Sequence, residues 1–163
     1  MKKFFILFFI LLIAAPLFSQ NSKWSDLSYT YSKGPVSPQF QYSYTIIIDR
    51  FGSATFTYVK SDVPKEFPFT VGKKGMRALN NCLKKSKVFS VSPQEMEADS
   101  SLMGGPSRTL VITKNQSPLL DVMPESILVP KQVNDTYFER IDDLYNEIEN
   151  LVPSEIWEQA LAN

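Results

Sequence analysis

The stretch Tyr42–Lys60, YSYTIIIDRFGSATFTYVK, decides the fold. Two runs rich in Ile, Val, Thr, Tyr and Phe flank Asp49-Arg50-Phe51-Gly52. β-Branched and aromatic side chains suit a pleated, half-buried surface, and the glycine supplies the positive φ that a short hairpin loop needs. Side chains alternate across a strand. Tyr42, Tyr44, Ile46 and Ile48 therefore share one face of the first run, and Ala54, Phe56 and Tyr58 one face of the second. A lone hairpin is marginal in water, so this one must recruit further strands and a helix.

Working outward, Asn21–Asp26 reads as a flexible lead and Leu27–Tyr31 as a short alternating strand. Ser32–Gln41 holds Gly34, Pro35 and Pro38 and is a loop. Beyond the hairpin, Ser61–Pro64 is a turn and Glu66–Val71 a strand. Pro64 and Pro68 place that strand at a sheet edge, where a missing N–H does least harm. A helix is expected from about Gly72 to Lys85, with Met76, Leu79, Cys82 and Leu83 on one side and Lys73, Lys74, Arg77, Lys84 and Lys85 on the other. Val88–Val91 continues into the core, and Ser92–Ser107 is the longest irregular stretch of the chain after its leader.

A second hairpin is expected over Arg108–Met123, turning at Asn115-Gln116 and returning through Leu119–Met123; Ile127–Val129 is an apolar patch able to add a short strand. The strongest helical signal follows. Thr136 and Glu139 fit a capping box, and Tyr137, Ile141, Leu144, Ile148 and Leu151 recur at helical spacing until Pro153. Ser154 can cap a short terminal helix carrying Ile156, Trp157, Ala160 and Leu161. Hairpin then helix, twice, predicts an α+β fold: an antiparallel sheet of five to six strands with two amphipathic helices on one face, plus a short C-terminal helix.

The first nineteen residues stand apart. Met1-Lys2-Lys3 is basic, Phe4–Ala15 is an apolar run too short to span a bilayer comfortably, and Pro16–Ser19 breaks it before Gln20. A signal peptide cleaved after Ser19 is expected, leaving residues 20–163 as a single exported domain, periplasmic or extracellular, with no membrane span. No cysteine lies near that site for lipid attachment; Cys82 is the only one, so no intramolecular disulfide forms, and it reads as a small buried hydrophobe. Without Lys2 and Lys3, fifteen basic residues face seventeen acidic ones, a net charge of −2. That balance gives no reason to expect a nucleic-acid partner.

Histidine is absent. Ser-His-Asp and Cys-His nucleophilic systems and His-based zinc motifs are thereby excluded. No serine has a lysine three residues on, and there is neither a G-x-G-x-x-G run nor a P-loop. No catalytic residue, metal ligand or cofactor is assigned, and a non-enzymatic role is expected. Glu95, Glu97 and Asp99 alternate but lack the glycine turn and ligand count of an EF-hand, and read as a solvated acidic loop.

Two surfaces are candidate binding sites. The aromatic, proline-rich segment around Tyr29, Tyr31, Phe40, Tyr42 and Tyr44 has the composition of protein interfaces, although its rings could equally form cross-strand pairs. The basic first helix, with Lys84 and Lys85, opposes an acidic second one carrying Glu139, Asp142, Asp143, Glu147 and Glu149, a dipole able to steer a charged partner. The binding residues chosen are Phe40, Tyr42, Lys84 and Lys85.

Through GPVSPQFQYSYTIIIDRFG, GGPSRTLVI and LVPSEIW, the chain resembles small, uncharacterised exported bacterial α+β proteins. In element order, and in the Gly-Gly before a strand, it is also similar in outline to emfourin-type inhibitors of metalloproteases. The expected function is binding of a protein or cell-envelope component. A protease inhibitor is the alternative, and a carboxylate-dependent hydrolase a third reading.

Overall fold

The hairpin forms, and the rest of the sheet grows from both of its sides. A computed structural model describes residues 23–99, 105–115 and 124–162. Its strands are β1 (Trp24–Ser32), β2 (Tyr42–Asp49), β3 (Ser53–Lys60), β4 (Val63–Thr70), β5 (Ser107–Lys114) and β6 (Ser126–Val129). They make one six-stranded antiparallel sheet in the order β4-β3-β2-β1-β5-β6. Four helices accompany it: α1 (Lys73–Lys85), α2 (Pro93–Met96), α3 (Asp135–Asn150) and the short C-terminal α4 (Ser154–Leu161).

The β2–β3 loop is closed by Asp49, whose Oδ1 accepts hydrogen bonds from the N–H groups of Phe51 (2.8 Å) and Ser53 (2.9 Å). Gly52 sits at φ +90°, and a Cβ there would lie 2.6 Å from the Val71 carbonyl oxygen. Only glycine meets both demands. The β3–β4 turn is Ser61-Asp62, both at positive φ, as a two-residue hairpin matched to strand twist requires. Its closing pair, Lys60 and Val63, exchanges hydrogen bonds and the pairs alternate from there, so Pro64 and Pro68 occupy positions whose N–H would face solvent. The prolines thus cost the sheet no bond and blunt its free edge.

One face of the sheet carries the core. Trp24, Leu27, Tyr29, Ile46, Ile48, Phe56, Leu110 and Ile112 are buried there against Met76, Leu79 and Leu83 of α1 and Ile141, Leu144 and Ile148 of α3. A fully buried aliphatic or aromatic side chain contributes about 1.5–3 kcal/mol, so these stripes hold the two layers together. The Trp24 indole N–H donates to Asn80 Oδ1 on α1 at 3.0 Å. Trp157 of α4 packs its edge on Tyr44 and Phe56, with ring centroids at 5.0 and 4.6 Å.

Several local expectations are corrected. β1 begins at Trp24, because a bulge between Trp24 and Asp26 absorbs Ser25 and returns the chain to register with β5. The helix expected to start on Thr136 starts at Asp135. Asn134 caps it by accepting from the Thr136 N–H at 3.1 Å, so Glu139 closes no box. The strand pairing with β5 is Ser126–Val129; Leu119–Met123 lies outside the described residues, as does Met1–Ser19. Within Ser92–Ser107, Pro93–Met96 makes one helical turn, capped by Ser92 Oγ. Among the described residues, no helix is long and apolar enough to cross a membrane.

Candidate functional site

At the end of the sheet where β1 finishes, the β1–β2 loop, the Ser61-Asp62 turn and the segment leading into β5 come together. The loop is held by its own backbone. Lys33 N–H donates to Tyr42 O (3.1 Å), Phe40 N–H to Ser37 O (2.8 Å) and Gln41 N–H to Pro38 O (3.1 Å). Gly34, at φ +86°, lies so close to the Gly105 carbonyl that no Cβ fits between them. Pro38 opens a single 3-10 turn, Pro38–Phe40, which turns the Phe40 ring outward; it is 58% exposed, and Val63 across the end of the sheet is 60% exposed. Val36 is exposed in the same loop.

Behind this rim the tyrosines form a ladder across the helix-covered face. Tyr31 stacks on Tyr44 (4.9 Å between centroids) and on Tyr42 (6.0 Å), and Tyr42 stacks on Tyr58 (5.8 Å). Lys33 Nζ lies 5.1 Å over the Tyr42 ring, a cation–π contact at the edge of the ladder. Cross-strand pairing therefore accounts for Tyr42, which is half-buried. Phe40 alone of the chosen aromatic pair presents its ring to solvent.

The deep end of the ladder is polar, and sequence reasoning missed it. Glu149 Oε1 on α3 accepts from the hydroxyls of Tyr29 (2.5 Å) and Tyr44 (2.8 Å). Arg108 Nη1 pairs with Asp142 Oδ1 at 2.5 Å, and the guanidinium Cζ lies 5.7 Å from the centre of the Tyr145 ring. Burial, then the bond to Glu149, pushes the Tyr29 and Tyr44 hydroxyls well above the usual phenol range, and burial pushes Tyr145 up to about 12. Two of the acids counted toward the steering charge of α3, Asp142 and Glu149, thus bond to side chains of the sheet. The available signal was spacing, since Asp142, Tyr145 and Glu149 recur at three and four along the border of the apolar stripe. With its oxygen shared by two phenols, Glu149 tethers a helix and is not poised as a general base.

Lys84 and Lys85 lie elsewhere. Lys84 lines a hollow with Lys23 and Trp24, at the start of β1, whereas Phe40 and Tyr42 sit past its end. A nine-residue strand separates them, about 30 Å at ~3.3 Å per residue, so the two pairs form no common site. Both lysines border an open groove of about 910 Å³ between α1 and α3, facing Asp143 and Glu147. Cys82 lines the same groove, only half-buried; desolvation and then Glu147 push its thiol up, away from thiolate chemistry.

Among the described residues, no three His, Cys, Asp or Glu side chains come together to hold a metal ion. Glu95 accepts instead from the Tyr137 hydroxyl at 3.0 Å, and Glu97 forms a bridge with Val133. The loop end offers contact: exposed Phe40 and Val36 on the loop and Val63 at the start of β4, backed by stacked tyrosines and a lysine. No protein-family model matches the chain, and a search of curated proteins returns no similar sequence.

Proposed function

We propose that the protein is an exported, non-enzymatic binding module that grips a protein of the cell envelope or its surroundings through the end of the sheet bearing Phe40. The observation that carries this reading is the Phe40 ring, 58% exposed on a loop held by four backbone hydrogen bonds of its own. Leaving so large an apolar side chain in water forgoes about 1.5–3 kcal/mol of burial, and a rigid loop loses little entropy when a partner supplies that burial. Val36 and Val63 extend the apolar contact, and Lys33 adds a charge at the polar rim that interfaces usually have. Export is supported by the Met1–Ser19 leader pattern.

The test is capture of envelope and secreted proteins by the chain from Gln20 onward, run beside Phe40→Ser and Val63→Ser. One stoichiometric partner, lost in Phe40→Ser while circular dichroism and melting stay unchanged, is the expected result. A protease as that partner would make the module an inhibitor, the role implied by the emfourin-like outline. Equal capture by wild type and both variants would refute this site.

A further inference from the structure

The face of the sheet turned away from the helices is nearly free of charge. Register places Thr57, Thr45, Thr30 and Thr109 in one continuous row across β3, β2, β1 and β5. Thr30 Oγ1 lies 3.1 Å from Thr45 Oγ1, so the row is hydrogen-bonded across its centre. On these four strands, the rows on either side, through Ile47 and through Ser43, also carry only Ser, Thr, Val and Ile. Ile47 is 46% exposed, and Leu128, on β6 beside the Ile47 row, is 56% exposed. Charge appears only at the margins: Asp26 and Asp49 at one end, Glu66 on the edge strand.

A solvated sheet face alternates with polar residues, and surfaces left to water normally intersperse lysine and glutamate. Depletion of charged side chains is a mark of an interface centre. The dimensions fit as well. Five strands of eight or nine residues and the four-residue β6, about 4.8 Å apart, cover at most roughly 24 by 26 Å, or ~600 Å² in projection, against the ~800 Å² that each partner contributes to a standard stable interface.

We propose that this face binds a second copy of the chain, the two sheets packing face to face about a two-fold axis near Thr30 and Thr45. A hydroxyl both donates and accepts, so a threonine row is complementary to itself. On these four strands a charged partner would find no counter-ion in the three central rows; Glu66 lies only at the β4 end of one of them. An axis along the threonine row carries Asp26 and Asp49 onto the neutral Ser32 and Ser43 end, and leaves Glu66, on the edge strand, as the one acid of this face opposite its own copy. Sheets of this twist pack with strands about 30° apart, the arrangement of a β-sandwich. The Phe40 loop, at the end of the sheet, stays open in the dimer. This interface is therefore independent of the proposed partner site.

Light scattering and sedimentation equilibrium on the chain from Gln20 onward, diluted from about 100 µM, test the proposal. A mass of two chains is expected. Thr45→Lys sets like charges against each other at the axis and is expected to raise the dissociation constant at least ~100-fold with native circular dichroism. Thr109→Glu, at the other end of the same row, sets like charges against each other in the same way and stands in should Thr45→Lys fail to fold. A wild-type monomer at the highest concentration would give the face to another occupant and overturn the proposal. So would a dimer that survives in the folded variants.

Discussion

Removing the Glu149 carboxylate is the most direct trial of how α3 is held on the sheet. Its Oε1 accepts two phenolic protons, from Tyr29 at 2.5 Å and Tyr44 at 2.8 Å, and both tyrosines are buried. A hydrogen bond to a charged group contributes about 1.5–3 kcal/mol, and a buried donor left unpaired costs about 1–3 kcal/mol. Glu149 itself is only half-buried, so water recovers part of the loss in its absence. Glu149→Ala should therefore cost about 2–3 kcal/mol, roughly 6–9 °C in melting temperature for a domain of this size. Glu149→Gln keeps one acceptor oxygen and should cost about half as much. The assay is urea unfolding of the single variants, of Tyr29→Phe, and of the Tyr29→Phe/Glu149→Ala double. Residues that share a bond should show a coupling of at least ~0.5 kcal/mol. A Glu149→Ala variant within ~0.5 kcal/mol of wild type, or strict additivity with Tyr29→Phe, would refute the tether.

Two further outcomes follow from the same layer. Tyr29 and Tyr44 hold their protons above the ordinary phenol value near 10, so the folded chain keeps protons that the unfolded chain releases. Stability should be intact below pH about 10 and fall above it, by about 1.4 kcal/mol per pH unit for each retained proton. Phenolate absorbance rising at both tyrosines while circular dichroism stays native would contradict this. Trp157→Ala removes the ring that closes over Tyr44 and Phe56 and should cost about 3 kcal/mol in urea unfolding; a loss below ~1 kcal/mol would mean that α4 docks without it.

What could be read directly from the chain was whatever depends on local period. The alternation in Tyr42–Lys60 specified both strands, with only Asp49 moving from the expected turn into β2, and Pro64 and Pro68 marked the edge because proline's missing N–H has few harmless places in a sheet. The stripe from Ile141 to Ile148 found α3. The bulge at Ser25 was hidden, since Ser25 and Asp26 break the alternation that marks a strand, and so β1 looked three residues shorter at its start. Asn134 and Thr136 are both good caps, and only backbone geometry chooses between them. Of the candidate site, Phe40 was found as an exposed aromatic, but nothing local separated it from Tyr42, whose ring is taken up by cross-strand stacking. The Glu149 tether joins residues more than a hundred positions apart, where no periodicity reaches. The uncharged outer face was visible only as strand-forming threonines until register aligned them in rows.

The place of β1 in the sheet also sets the order in which the molecule can form. It lies between β2, the next strand in the chain, and β5, which arrives only after α1 and α2, with Tyr29 opposite Leu110. The centre is then closed by α4, from the last residues of the chain, when Trp157 reaches Tyr44 and Phe56. Contacts so distant in sequence are slow to form, because chain closure must precede the bonds that reward it. A growing chain that ends before Ser107 has the β1–β4 meander and the first helix but no partner for the other side of β1. Completion of the sheet and its core therefore waits for the last third of the chain.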